Sequence, residues 1–302
     1  MPAVKQLVLL FIFCSITSVS VAQPTKATET DKSRINRFLL ITGVGYTVSQ
    51  VGLYALWYHD QPSQSFTFFN DAPQWKQVDK VGHGYSAYHL GHLSSQAFIN
   101  AGMPNRKSYW YGALMGNLML LPVEFFDAYS EAYGFSWADV AANTAGAALL
   151  PLQYELWQEI RIHPKFSFRP TDFPSLRPNT LGGSFHEQVL KDYNGQTYWL
   201  SFDLHRFFPQ RNFPKWLNLA VGYGAENMIY ARDHENRAVG LQPYRQFYFA
   251  PDLDLSHFRK DPVTFGNRLF NGLLYLVNLV HIPAPALGYD TGRGLRFYPL
   301  YF

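Results

Sequence analysis

The chain has 302 residues and a net charge of +3, with 47% hydrophobic, 17% aromatic and only 16% charged residues. Charged residues thus fall below the roughly 25% usual for soluble domains, and the small, dispersed net charge argues against a nucleic-acid partner. A mean hydropathy of −0.15 argues against a polytopic inner-membrane transporter. The aromatic content is typical of membrane interfaces or of large, half-buried sheets.

Residues 1–22 have the features of a secretory signal peptide. Lys5 supplies the basic region, residues 7–16 the apolar core, and Ser20-Val21-Ala22 the small residues that predict cleavage after Ala22. An uncleaved anchor is the alternative, although the apolar core is short for a membrane span. Cys14, the only cysteine, lies inside this segment behind the bulky Phe13, so no lipid attachment is predicted there.

Residues 23–36 are predicted to be a polar tether, and residues 37–161 a membrane-associated bundle of about four helices. Residues 38–58 carry no charge and are long enough to cross a bilayer as a helix, although Thr, Gly, Ser and Gln dilute them. A buried core helix is the alternative for this stretch. Apolar patterns and stop signals predict three further helices, at about 79–101, 106–133 and 136–160.

Two pairs of small residues lie within these helices. Gly112 and Gly116 form a GxxxG pair, and Ala87 and Gly91 form a second pair with the same spacing. Small residues at this spacing allow two helix backbones to approach closely. The sequence therefore predicts tight helix packing at both pairs.

The second half of the chain has a different pattern. Residues 162–190 are rich in proline and are predicted to be an extended linker. Residues 191–302 alternate between apolar and polar side chains, which predicts an antiparallel β region containing one interfacial helix at about 265–280. Strands are expected at 197–204, 216–224, 245–255 and 294–302. The fold class is therefore predicted to be α+β.

Three polar signatures lie in apolar, small-residue-rich surroundings: DKVGH at 79–83, EFFD at 124–127 and DVAANTAG at 139–146. If each segment is helical, the polar residues within each signature share one helix face, because they are three or four positions apart. Three such faces turned inward would form one buried polar site. Its predicted members are Asp79, Lys80, His83, Glu124, Asp127, Asp139 and Asn143.

Two interpretations of this cluster stay open. Burying carboxylates costs free energy unless protons, a lysine or a metal neutralise them. The cluster therefore either stabilises the packing of the bundle or is a chemical site. As a chemical site, His83, Glu124 and Asp127 are the catalytic candidates. Asp79, Lys80, Asp139 and Asn143 are then the binding candidates. A divalent metal is the candidate cofactor, held by His83, Glu124, Asp127 and Asp139.

Each residue also has a simpler explanation. Asp79 could cap its helix, and Ser136 and Asp139 fit a capping box. A lone histidine such as His83 is more often a satisfied core residue than a ligand. No GxSxG, HExxH, Walker or GxGxxG motif is present in the chain.

The segments DKVGH, EFFD and SWADVAANTAG (136–146) resemble the YfiM-like family of uncharacterised bacterial envelope proteins, which are described as predicted periplasmic lipoproteins. Residues 191–204 and 213–226 look like the longer, Bacteroidetes-type members of that family. The motif order DKxxH, Glu, DxxxNxxG is also similar, over a short stretch, to VanZ-like membrane proteins. These resemblances imply an envelope location and carry no established activity.

The sequence therefore predicts an exported envelope protein, at the outer membrane or on its periplasmic face, with a structural or assembly role. Membrane lipid and other envelope proteins are its expected partners. The alternative is a metal-assisted hydrolase or transferase acting on an envelope lipid or glycan. The sequence leaves open whether the protein is an enzyme.

Overall fold

The computed structural model describes residues 30–57, 62–131 and 133–302. The predicted signal peptide and Cys14 lie outside the described residues. The fold is α+β, as predicted, with helices in the first half and an antiparallel sheet in the second. The chain forms two compact units. The helical unit contains the described residues up to Asp71, Ser86–Glu159 and Arg259–Leu273, and the sheet unit contains Ala72–Tyr85, Ile160–Phe258 and Leu274–Phe302.

Four long helices occupy the first half: α1 Lys32–Trp57, α2 Val78–Asn100, α3 Asn105–Ala128 and α4 Trp137–Trp157. The last three confirm the predicted helices, although α3 ends earlier than expected. The chain after α3 turns back and Ser130 forms a β-bridge with Ser63. The hydroxyl of Ser136 accepts a hydrogen bond from the backbone N–H of Asp139 at 3.1 Å, which caps α4 as the sequence indicated.

Helix α1 corresponds to the predicted membrane span. Among the described residues, no helix has both the length and the apolarity needed to cross a membrane, so the span is not confirmed. The alternative of a buried core helix does not describe α1 either, because Leu40 and Val51 are each 66% exposed. The helix is held at one side, where the hydroxyl of Tyr46 donates to the carbonyl of Met119 at 2.8 Å.

The two small-residue pairs pack against each other in the helical unit. A Cβ atom added to Gly112 would lie 1.9 Å from Oγ of Ser95 and 2.5 Å from the carbonyl oxygen of Gly91. A Cβ atom added to Gly116 would lie 2.4 Å from the carbonyl oxygen of Ala87. The backbones of α2 and α3 are therefore in contact where the sequence predicted a close approach.

The second half forms one six-stranded antiparallel sheet whose strands lie side by side in chain order. The strands are β1 Ile162–Phe168, β2 Gln196–Asp203, β3 Leu217–Glu226, β4 Tyr244–Leu253, β5 Ala284–Asp290 and β6 Gly294–Tyr301. The intervening helices are α5 Phe173–Leu176, α6 Pro178–Leu181, α7 Phe185–Lys191, α8 Leu204–Phe207, α9 Asp233–Ala238 and α10 Phe265–Asn278. Helix α10 matches the predicted helix at about 265–280.

The segment 162–190, predicted as a linker, is instead folded. It contains β1 and the three short helices α5, α6 and α7. Strand β1 tolerates Pro164 because it lies at the edge of the sheet. It pairs along its length with β2, and among the described residues its other side makes one isolated bridge, between Phe166 and Val280.

The two faces of the sheet have opposite character. The outward face carries a row of apolar side chains in register across five strands, each between 40% and 63% exposed. The row consists of Leu200, Val221, Phe249, Leu287 and Phe297. The inward face combines an aromatic cluster around Trp199, Tyr248 and Tyr301 with buried polar and charged side chains.

Candidate functional site

Asp79, Lys80 and His83 form a compact polar group at the start of α2, in the sheet unit. Asp79 Oδ2 lies 2.8 Å from Nζ of Lys80, and Asp79 Oδ1 accepts a hydrogen bond from the hydroxyl of Tyr193 at 2.9 Å. Burial by itself would raise the pKa of Asp79, but His83, Lys80 and Tyr193 together lower it below its usual value. Asp79 is therefore an ionised carboxylate that other groups already stabilise.

The glycine of the DKVGH segment has a packing explanation. A Cβ atom at Gly82 would lie 2.6 Å from the hydroxyl oxygen of Tyr198, a residue of β2. Tyr85, one turn further along α2, packs against the same ring with centroids 5.6 Å apart. The glycine of this segment is therefore explained by the packing of the first turns of α2 on the sheet.

The other four predicted residues lie on α3 and α4, which pack together in the helical unit. Glu124 is fully buried, Asp139 and Asn143 are 4% and 2% exposed, and Asp127 is partly exposed. The cap at Ser136 is extended by the carboxylate of Asp71, to which its hydroxyl donates at 2.5 Å. Capping accounts for the backbone of Asp139, whereas its buried carboxyl group requires a further partner.

The candidates belong to both units of the chain. Asp79, Lys80 and His83 belong to the sheet unit; Glu124, Asp127, Asp139 and Asn143 belong to the helical unit. The prediction that all seven form one site across three helices stays a prediction, and so does its metal.

A second set of buried charges, which the sequence did not indicate, lies on the inward face of the sheet. Nζ of Lys165 on β1 lies 2.7 Å from Oδ2 of Asp252 on β4, and neither side chain is exposed. Lys165 also donates to the carbonyl of Leu253 at 2.5 Å and to Oδ1 of Asn278 at 3.2 Å. Ser201 donates to the same Asp252 oxygen at 2.6 Å. Hydrogen bonds on both partners are what allow an ion pair to persist away from water.

His281 lies beside this ion pair. Its Nε2 is 3.9 Å from Oδ1 of Asp252, and its side chain is completely buried. Burial lowers the pKa of His281 and the charge of Lys165 lowers it further, although Asp252 and the carbonyl of Pro251 oppose this shift.

A third group lies at the end of the sheet where β2 and β4 finish. Nε2 of His257 is 3.6 Å from Oδ2 of Asp254 and 3.9 Å from Oδ2 of Asp203. One ligand atom from each of these three residues lies within 4.8 Å of the other two. His163 on β1 belongs to the same electrostatic neighbourhood, because burial lowers its pKa and the charges of Asp254 and Asp203 raise it.

One sequence signal points toward these groups. In β2 and β4 the alternation places Ser201, Asp203 and Asp252 on the same side as apolar residues such as Trp199 and Ala250. Apart from Arg245 at the start of β4, the outward positions of these strands carry no charge whereas the inward positions do, which is unusual for a soluble sheet. The partners come from distant segments, however, so spacing alone could not join them.

Residues 67–155 match the family described as predicted periplasmic lipoprotein (DUF2279). This range contains all seven residues of the predicted polar cluster. No curated protein matches the chain, and no solved structure matches it. The match supports an exported, periplasmic envelope protein of an uncharacterised family.

Proposed function

We propose that the protein has a structural or assembly role at the outer membrane and contacts membrane lipid through the outward face of its sheet. The observation that carries this proposal is the uncharged apolar row Leu200, Val221, Phe249, Leu287 and Phe297. Contiguous exposed apolar surfaces of this kind occur at protein or membrane contacts.

The distribution of charge favours lipid as the partner. Across five strands, at a spacing of about 4.8 Å, the row is roughly 19 Å wide. A neighbouring row continues it with Phe247, Tyr289 and Leu295, which are 45%, 52% and 74% exposed. Among the charged strand residues, Arg245 lies on the outward face, where it is bonded to Gln77 and Tyr223. The others, such as Lys165 and Asp252, lie on the other face. Hydrocarbon excludes charge, so this arrangement suits a lipid surface better than it suits water.

Flotation with lipid vesicles tests the proposal. Phe249→Asp combined with Leu287→Asp places two charges in the centre of the row and should abolish flotation with vesicles of bacterial phospholipid. Val239→Asp is the matched control, because Val239 is 51% exposed in the same unit and lies outside the strands. Circular dichroism establishes that each variant is folded. Flotation of the double variant at the wild-type level would disprove the lipid contact.

The alternative, a metal-assisted hydrolase or transferase, requires a histidine oriented by a carboxylate. His83 Nε2 is 3.9 Å from Asp79 Oδ1, beyond hydrogen-bond distance, and Asp79 is already bonded to Lys80 and Tyr193. This geometry favours the structural role. Glu124→Gln separates the two functions, since a folded variant that loses a cellular phenotype would indicate chemistry at the cluster.

The state of Cys14 bears on how the protein reaches the membrane. The family description names lipoproteins, whereas Phe13 precedes the cysteine where a small residue is expected. We propose cleavage after Ala22 without lipid attachment. A mature N-terminus at Gln23 in mass spectrometry supports this, and a diacylglyceryl mass on Cys14 overturns it.

A further inference from the structure

We propose that Asp203, Asp254 and His257 form a binding site for a divalent transition-metal ion of the zinc type. The site lies at the end of the inward sheet face where β2 and β4 finish, and His163 of β1 borders it. It includes none of the seven residues of the predicted polar cluster, and it goes beyond the proposed lipid contact.

The distances between ligand atoms suit a small cation. In a tetrahedral site with bonds of about 2.1 Å, neighbouring ligand atoms lie roughly 3.4 Å apart. Nε2 of His257 is 3.6 Å from Asp254 Oδ2 and 3.9 Å from Asp203 Oδ2. A shift of a few tenths of an ångström would bring both of these distances to the tetrahedral value. Imidazole combined with carboxylate oxygens favours zinc over magnesium or calcium, which prefer sites built from oxygen alone.

Two buried nitrogen atoms around this point make no hydrogen bond with any of the described residues. They are Nε2 of His257 and Nε2 of His163, whereas Oδ2 of Asp203 has Nε of Arg206 at 3.0 Å. Burying such atoms without a partner is costly. A metal ion held by His257 and Asp203 would remove this cost for Nε2 of His257.

Hydrogen bonds from neighbouring residues hold the two carboxylates in place. Asp254 accepts from the backbone N–H and the hydroxyl of Ser256, both at 2.8 Å, and from Nδ2 of Asn278 at 3.1 Å. Asp203 Oδ1 accepts from the backbone N–H of Arg206 at 2.9 Å, so that Oδ2 faces His257. Hydrogen-bonded carboxylates of this kind are typical of metal sites, where they orient the ligands.

Arg206 is the competing cation. Its Nε lies 3.0 Å from Asp203 Oδ2, and it also donates to the carbonyl of Ile160 at 2.7 Å. One guanidinium against two carboxylates leaves a net negative charge in the group. A divalent ion would neutralise that charge. The rival to the metal site is a purely structural ion pair of Arg206 and Asp203.

Zinc binding to the full chain tests the proposal. The protein is purified without a polyhistidine tag, treated with a chelator and titrated with Zn²⁺ by calorimetry. We expect one equivalent to bind, and His257→Gln to weaken binding by roughly tenfold or more, the scale of loss known for groups that support a metal. His234→Gln is the control, because His234 is exposed on α9 of the same unit.

Cobalt spectroscopy keeps the test independent of whether a variant folds. Wild-type protein with one equivalent of Co²⁺ should show absorption bands in the visible range with the intensity typical of tetrahedral cobalt. One equivalent of Zn²⁺ should displace the cobalt and remove these bands. Three outcomes overturn the proposal: no binding of either ion, wild-type affinity in folded His257→Gln, or a loss of binding in His83→Gln that His257→Gln does not share. The last would assign the metal to the cluster around Asp79.

Discussion

The indole of Trp199 lies flat against the imidazole of His281, with ring centroids 3.9 Å apart and planes only 10° from parallel. Both side chains are buried on the inward face of the sheet. Burial lowers the pKa of His281 and the neighbouring Lys165 adds to this shift, against the opposing charge of Asp252. The ring is therefore neutral in the folded protein at pH values where an exposed histidine begins to take up a proton.

This pKa shift makes folding stability depend on pH. In the unfolded chain His281 binds a proton below about pH 6.5, the ordinary value for histidine, whereas in the folded chain it stays neutral to lower pH. The unfolded state then binds more protons, so the free energy of unfolding should fall as pH falls from about 6.5 toward the folded pKa. Urea unfolding between pH 7.5 and 5.5 measures this slope.

The slope should be smaller in His281→Gln, which removes the titrating group, and unchanged in the exposed control His234→Gln. If His281→Gln retains the wild-type slope, then the pKa of His281 is the same in the folded and unfolded states and burial does not lower it.

The ion pair of Lys165 and Asp252 makes a second prediction. Lys165→Met leaves the buried carboxylate without its cation and should lower the free energy of unfolding by about 3–5 kcal/mol. The double variant Lys165→Met, Asp252→Leu should recover much of this loss, because no charge is then left buried. Chemical denaturation of the three proteins gives the comparison. A double variant as unstable as the single one would show that the pair stabilises through shape rather than charge.

The helices were predictable because their signals are local. Ser136 caps α4 through the backbone N–H of Asp139, three residues later, and the small residues of α2 and α3 lie at a fixed spacing within each helix. The alternation between outward and inward side chains in β2 and β4 is also a signal within a single segment. The sequence did not predict strands β1 and β5, because Pro164 and Pro285 indicate a break in a strand when each segment is considered alone. Only the pairing of each strand with its neighbour shows that the strand continues through its proline.

The buried charges of the sheet could not have been predicted from spacing. Lys165 meets Asp252 and Asn278 only after strands from separate parts of the chain pair in register. His281 likewise meets Trp199 only through the sheet. By contrast, the polar signatures of α2, α3 and α4 could be located from the sequence, since each lies within a single helix.

The contact between α2 and α3 predicts a strong effect of one methyl group. Gly116→Ala places a Cβ atom 2.4 Å from the carbonyl oxygen of Ala87, so the two backbones must separate. Overpacking of this kind costs about 1–3 kcal/mol. Gly43→Ala is the control, because a Cβ atom there meets nothing within 4 Å and alanine favours a helix by up to ~1 kcal/mol. In thermal unfolding, the midpoint temperature of Gly43→Ala should equal or exceed that of wild type, and the midpoint temperature of Gly116→Ala should be lower.

The packing of Gly82 on Tyr198 allows a test by rescue. Gly82→Ala brings a Cβ atom to 2.6 Å from the hydroxyl oxygen and 3.1 Å from Cζ of that ring. The contact should cost about 1–3 kcal/mol, offset in part by the helix preference for alanine. Tyr198→Phe removes the hydroxyl oxygen, the atom closest to the added Cβ. It also loses the hydrogen bond from that hydroxyl to Gln196 at 3.1 Å, and the stability of the single variant Tyr198→Phe measures the cost of this loss. Gly82→Ala should therefore be less destabilising in the Tyr198→Phe background than in wild type, because residues in contact are not additive. Equal losses in the two backgrounds, measured by urea unfolding, would mean that Gly82 is required for a reason other than this contact.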